Sequence, residues 1–272
     1  MRRIIFFVIT LIFSMATCSQ AANRRQVTSA RDAFEVKQSV LFEDGSLDEV
    51  LTSDWDSTFT HITNQERRSA SGAMLEQIEF SYHEDRGYLT TRITRDVESR
   101  LRNRIVYQYN AQGNLWRESL VDNRNRVVST YEFDYDNRGN RTGRRIMNRA
   151  GDLLAETLFT FDGAGRMTTS TTRDGGGSVI SSTRFSYDSQ GNLISQQVLN
   201  SDGAVTTNVS ARWQDGLEMV NETRAPDNTL RLEIRNEYGD DRELVRRVIR
   251  NIQGESTQIL QFEYTFRPRR QS

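Results

Sequence analysis

Apolar and polar side chains alternate with a period of two along most of the chain. Tyr131, Phe133 and Tyr135 fall on one side of a strand and Glu132 and Asp134 on the other. Phe159 and Phe161 likewise oppose Leu158 and Thr160, and Phe185 and Tyr187 oppose Arg184 and Ser186. Such alternation marks half-buried β-strands with one aromatic and one wet face. The pattern also recurs at long range: YNAQGNL, YDNRGNR, FDGAGRM and YDSQGNL begin at Tyr109, Tyr135, Phe161 and Tyr187, each 26 residues after the last. Stacked at that period, Tyr109, Tyr135, Phe161, Tyr187 and Trp213 form one aromatic column, and Tyr107, Phe133, Phe159 and Phe185 a second. A fixed period of this length is the signature of a repeat protein.

Between the strands lie turns of one chemistry. Asn110, Asp122, Asp136, Asn148, Asp162, Asp174, Asp188 and Asn200 are followed three positions later by Gly113, Asn125, Gly139, Gly151, Gly165, Gly177, Gly191 and Gly203, in steps that alternate between 12 and 14 residues. In an Asx-x-x-Gly turn the Asx side chain accepts from backbone N–H groups just ahead, and Gly supplies the positive φ of the bulge that restarts pairing. Unbroken succession of such turns joins neighbouring antiparallel strands, so the expected fold is all-β: an up-and-down meander of about 16 to 18 strands in one curved or spiralling sheet. Residues 83–266 form this array. Residues 35–82 have irregular spacing and read as degenerate strands or a cap that partly closes the aromatic side, with a tether at 22–34 and a polar tail at 267–272.

Composition changes the picture in three respects. Two Pro, 17 Gly at turn positions and many Thr, Ser, Tyr and Val exclude a disordered chain, and a formal charge of −1 gives no attraction to nucleic acid. The first residues are basic (Arg2, Arg3), then apolar from Ile4 to Phe13, then small up to Ala21 and Ala22, which reads as a secretory signal peptide over 1–21. The single cysteine, Cys18, closes the apolar run in MATC and leaves no disulfide for the folded part.

The strand motifs resemble the tyrosine-aspartate (YD) repeat of the Rhs family, an aromatic, any residue, then YD-x-x-G-[RN]-L: RFSYDSQGNL at 184–193 is a close match, EFDYDNRGNR and LFTFDGAGRM good ones, and VYQYNAQGNL has Asn for Asp. The resemblance covers about residues 80–266 and implies a β-sheet that spirals into a hollow shell, in an exported protein of the envelope or surroundings. The unit here is longer than the family's usual one, the array is short, and no toxin or self-cleaving segment follows Phe266. MATC resembles the lipobox of bacterial lipoproteins, although Met15 and Thr17 are poor matches, so cleavage after Ala21 or Ala22 is favoured over lipidation at Cys18.

No catalytic constellation is legible. His61 and His83 have no ligand spacing, and Gly175 to Gly177 lack the Lys of a phosphate loop. Asp136, Asp162 and Asp188 could line an edge for Ca²⁺, but each is needed by its own turn. Glu84-Asp85 and Asp240-Asp241 could form a paired-carboxylate site, but paired acids in turns are common on exported proteins and no partner for them can be located. The expectation is therefore a non-enzymatic exported scaffold or binding surface without cofactor or metal. Its partner is a protein or glycan, with no nucleic acid, and with membrane contact only through a lipid at Cys18. Two alternatives remain: a hydrolase or glycan-processing enzyme with its acids in the N-terminal third, and an outer-membrane β-barrel, against which RTGRRIM at 141–147 and RMTTSTTR at 166–173 offer no continuous apolar face.

Overall fold

The computed structural model describes residues 33–58 and 60–266. The signal peptide, Cys18, most of the tether and the tail lie outside the described residues. The strands are β1 (Ala33–Phe42), β2 (Leu47–Trp55), β3 (Ile62–Ser69), β4 (Met74–Tyr82), β5 (Leu89–Arg95), β6 (Leu101–Tyr109), β7 (Leu115–Asp122), β8 (Val127–Tyr135) and β9 (Arg141–Asn148). They continue as β10 (Leu153–Phe161), β11 (Met167–Asp174), β12 (Val179–Tyr187), β13 (Leu193–Asn200), β14 (Val205–Gln214), β15 (Leu217–Arg224), β16 (Leu230–Tyr238), β17 (Leu244–Asn251) and β18 (Ser256–Phe266). Each pairs antiparallel with its sequence neighbours, and β18 pairs with β1 over Phe42↔Gln258 to Ala33↔Phe266. The meander is a closed 18-stranded barrel, not an open or spiralling sheet.

Closure follows from register. Tyr107 of β6 faces Glu118 of β7, which faces Tyr131 of β8, two residues short of Phe133, the repeat mate of Tyr107. Phe133 leads through Arg144 to Thr157, and Phe159 through Ser170 to Thr183, each again two short of the mate. Nine hairpins with this step displace the ladder by about 18 residues in one circuit, one per strand, the ratio at which barrel strands tilt by about 36°. At about 4.8 Å between strands, a round cross-section is about 34 Å across from backbone to backbone. An open sheet was the expectation because a 26-residue unit by itself says nothing of this climb. Residues 35–82 do not cap the aromatic side either: β1 to β4 are four strands of the same wall.

The turns carry the expected bonds. In the 136–140 turn the Asp136 carboxylate accepts from the N–H groups of Arg138 (2.9 Å) and Asn140 (2.8 Å), and Gly139, at φ +82°, donates to Asp136 O. Asp162, Asp188, Asn148 and Asn200 repeat this. Where the motif slips, other devices fill in. Asp215 and Gly216 both have positive φ in a two-residue type I′ turn, and after Asn251 the left-handed residue is Glu255 (φ 46°), not Gly254.

A β-branched residue in the left-handed region costs on the order of 1–2 kcal/mol. Gly165 sits at φ +77° with only Asn140 Oδ1 near its missing Cβ, at 3.7 Å, so strain rather than a clash decides. Gly165→Val should lower the melting temperature by roughly 2–8 °C in thermal unfolding, and an unchanged value would contradict the turn geometry.

Acid should loosen the same turns. The Arg126 side chain and backbone hold Asp122 down to about 2, and the side chains of Asn140 and Asn192 lead in lowering Asp136 and Asp188. A carboxylate with a depressed folded pKa stabilises above its unfolded value of about 4, and that contribution is lost as pH falls through the folded value. The melting temperature should therefore drop between about pH 4 and pH 2, and less so in a variant carrying Asp122→Asn, Asp136→Asn and Asp188→Asn. Equal acid slopes for variant and parent would contradict this.

Candidate binding lumen

Alternation gives the wall two faces, and exposure tells which is convex. Leu154, Leu158, Thr160, Arg184, Ser186, Arg212, Arg235 and Glu237 are exposed on one face. On the other, Phe133, Ile78, Thr157 and Asn236 are buried at 3–8% exposure, and its strand-centre positions are nowhere exposed, although Leu199, Thr130 and Glu233 of the first face are also covered by their neighbours. Side chains splay on a convex wall and crowd on a concave one, so the aromatic columns face the lumen. Tyr107, Phe159 and Phe185 nevertheless stay half-buried, since no second layer packs on them. The described residues are strands and short turns, and none enters the lumen.

The outer wall is charged and ion-paired along its length. Arg95 meets Glu79 at 2.9 Å, Arg145 meets Asp134 at 3.0 Å, Arg235 meets Glu233 at 2.8 Å and Lys37 meets Glu263 at 3.3 Å. Apolar outward residues sit among these, with Val128, Leu154 and Ile180 aligned at the repeat period on three consecutive hairpins.

On the inner wall the first aromatic column extends to nine members, one at the end of each even-numbered strand: Trp55, Tyr82, Tyr109, Tyr135, Phe161, Tyr187, Trp213, Tyr238 and Tyr264. Seven donate to the backbone carbonyl 20 residues earlier. Tyr109 reaches Leu89 O at 2.9 Å, Tyr135 reaches Leu115 O at 2.7 Å, Tyr187 reaches Met167 O at 2.8 Å and Trp213 Nε1 reaches Leu193 O at 2.8 Å. Tyr82, Tyr238 and Tyr264 do the same to Ile62, Glu218 and Leu244. The acceptors are strand-start carbonyls just outside the next ladder; β5 and β6, for instance, begin pairing only at Thr91↔Val106. Each ring thus pins one hairpin to the preceding one. Phe161 lacks the hydroxyl, and Trp55 Nε1 is buried without an acceptor.

One step deeper, the second column's positions pair across the ladder with Gln38, Gln65, Arg92, Glu118, Arg144, Ser170, Gln196, Asn221 and Arg247. All nine hairpins put a polar residue here, so a polar belt rings the lumen. The facing positions are aromatic in six hairpins (Phe80, Tyr107, Phe133, Phe159, Phe185, Phe262) and Ser53, Ala211 and Asn236 in the others. Beyond it the wall turns apolar or Thr-rich, with Ile78, Ile105, Ile146, Val198, Val209 and Ile234. At Ala211 the missing ring leaves only a shallow dent of about 10 Å³, room for about one water, against Gln196 and Asn221.

The belt's charges differ in how they are satisfied. Arg247 donates from Nε to Asn236 Oδ1 at 2.7 Å, and burial lowers its pKa while raising that of Glu218 nearby. Burial also raises Glu118, against the pull of Arg141, Arg144 and Arg92, and pushes Tyr107 up to about 12. The Nε groups of Arg92 and Arg144 are buried without acceptors. Arg141 places its guanidinium carbon over Phe133, 4.1 Å from the ring centre.

The other sequence candidates serve local structure. His61 bonds Asp56 at 3.0 Å and packs on Tyr82, and His83 accepts from Asp85 N. Glu84-Asp85 and Asp240-Asp241 are exposed in turns of separate hairpins. The turn residues and both aromatic columns recur in register around the barrel, whereas the polar belt was not read from the sequence.

No family model matches the chain, and no curated protein is similar to it in sequence. Among solved structures, a porin-like protein from Bacteroides uniformis ATCC 8492 is similar at 12% identity and TM-score 0.45, over 86% of this chain and 98% of that one. TcdB2-TccC3-TEV is similar at 13% identity and TM-score 0.29, over 85% of this chain and 17% of that one. The chain thus spans about a sixth of the TcdB2-TccC3 chain. Likeness this distant leaves function to the residues.

Phe161→Tyr places a hydroxyl where seven other hairpins use one polar hydrogen, and Tyr264→Phe removes one. A net hydrogen bond contributes about 0.5–1.5 kcal/mol. Thermal unfolding should rise by a few degrees for the first and fall by a similar amount for the second. A lower melting temperature for Phe161→Tyr would mean that the Arg141 carbonyl is not free to accept.

Proposed function

We propose that this protein is an exported, water-soluble hollow β-barrel that acts through its inner wall, binding a ligand rather than transforming one. The observation that carries this is the polar belt, set among aromatic rings at the same level in every hairpin. Ligand sites typically combine mostly apolar lining with a few placed polar groups. The extended-sheet reading loses its footing, because a closed wall offers no free sheet edges. Export rests on the leader at 1–21, and no catalytic role is proposed for any residue.

A second reading, an outer-membrane barrel, is favoured by closure itself, since an even number of antiparallel strands and a polar inner belt suit one. The outer wall weighs against it: outward Arg costs about 2–4 kcal/mol each near a bilayer midplane, and Arg145, Arg184 and Arg235 lie within the strands. Detergent-phase partitioning of the full chain carrying Cys18→Ala separates the two, because the substitution removes any lipid anchor. The barrel should remain in the aqueous phase and stay monodisperse without detergent. Retention in outer membranes after high-pH washing, with conductance across planar bilayers, would overturn the soluble reading in favour of the second.

A further inference from the structure

The chemistry of one arc of the inner wall narrows the ligand to a class, an assignment that rests on the inner-wall binding function. Around Phe133 two guanidinium groups converge. Arg141 lies over the ring at 4.1 Å, and Arg144 is the ring's ladder partner. Arg141 donates to the Tyr135 hydroxyl at 3.2 Å, and Arg144 reaches Thr157 Oγ1 only at 3.4 Å, with its Nε unpartnered. Neither meets a carboxylate of the described residues within ion-pair distance. Glu118, one strand over, is drawn by Arg141, Arg144 and Arg92 yet has no ion pair with them. Arg92, the ladder partner of Phe80, repeats the arrangement with an unpartnered Nε on the far side of Glu118.

Arginines elsewhere on the barrel are differently placed. On the outer wall, Arg95, Arg145 and Arg235 have carboxylates at 2.8–3.0 Å. Arg104 and Arg117 also have buried Nε groups without acceptors, but they face outward, away from the inner aromatic columns. Within the lumen, Arg247 is satisfied by Asn236. Buried guanidinium donors without an acceptor favour an arriving anion, because guanidinium matches carboxylate, sulfonate and phosphate geometry and the bonds are charge-assisted. The groups beside them are flat rings: Tyr107, Tyr131, Phe133 and Phe159 occupy the adjoining inner positions.

We propose that the arc of inner wall from Arg92 through Glu118 to Arg144, with Arg141, is a binding site for organic anions that carry a flat apolar body. The acid group seats on the guanidinium of Arg144 and Arg141 or of Arg92, and the body lies against the aromatic column. Glu118 sets selectivity: its carboxylate admits one acid group to an arginine and repels a densely charged polyanion.

The test uses the full-length protein carrying Cys18→Ala and two fluorescent probes of similar shape. One is 8-anilinonaphthalene-1-sulfonate, which is anionic; the other is N-phenyl-1-naphthylamine, which is neutral. The anionic probe should bind saturably and weaken with added salt. Arg144→Gln and Arg92→Gln should each weaken binding about tenfold at the one seat it alters, read as loss of about half of the tight sites, and Arg144→Lys, which keeps the charge, by no more than about threefold at its seat. The neutral probe should change less than twofold in all three variants. Arg184→Gln on the outer wall should leave both probes as in the parent, and melting curves identify any variant that fails to fold. If Arg144→Gln misfolds, Arg92→Gln and Arg144→Lys still decide. Anionic-probe affinity indifferent to both arginines, or equal losses for both probes, would overturn the proposal while leaving a binding lumen in place. Failure of the anionic probe alone to bind the folded parent would also overturn the proposal, and failure of both probes would overturn the lumen reading as well.

Discussion

The distance between successive turns alternates between 12 and 14 residues, and the architecture depends on that inequality. Equal steps would stack hairpins level, and the sheet would extend with two bare edges. Because, from β3 onward, each even-numbered strand runs longer than its odd-numbered neighbours, every hairpin climbs two residues on the last. The climb tilts the strands, the tilt curves the sheet, and β18 meets β1 in full register. Closure satisfies the edge N–H and C=O groups that otherwise invite aggregation.

A wall one sheet thick has little conventional core. Leu199 is the only large side chain below 2% exposure among the described residues, and few apolar groups are fully buried. Cohesion instead comes from elements repeated around the ring. Ladders join strand to strand, an Asx carboxylate or amide ties most turns, and a tyrosine or tryptophan pins hairpin to hairpin. Each contact is between neighbours, as in solenoid repeats, but the ring has no terminal unit that needs a cap. That is why the irregular first strands sit in the wall rather than over its mouth.

Most of the local structure was legible from the residues. Asx-x-x-Gly spacing marked the turns, and the columns at Tyr107 and Tyr109 marked the inner face. The 12/14 alternation was visible too, but closure required multiplying its two-residue consequence by the number of hairpins. The interhairpin bond could not be read, because it joins residues 20 apart whose nearness exists only after the stagger. The belt went unseen for a different reason. Arg92, Glu118, Arg144, Ser170 and Gln196 look like solvated strand residues singly, and only their shared spacing of about 26 and their parity with the aromatics place them inside. Tabulating polar positions at the repeat period would have found them.

The stagger per hairpin also acts as a gauge. Each 26-residue unit adds two strands and two residues of shear together, so their ratio, and with it the tilt of about 36°, does not depend on how many units a gene encodes. Girth does depend on it: a barrel one unit shorter would be narrower by about one-ninth, and one unit longer wider by the same share. In-frame duplication or loss of a single repeat therefore changes the bore in even increments while leaving every turn, pin and ladder geometry as it was, which gives such a lineage a way to resize its lumen without redesigning its wall.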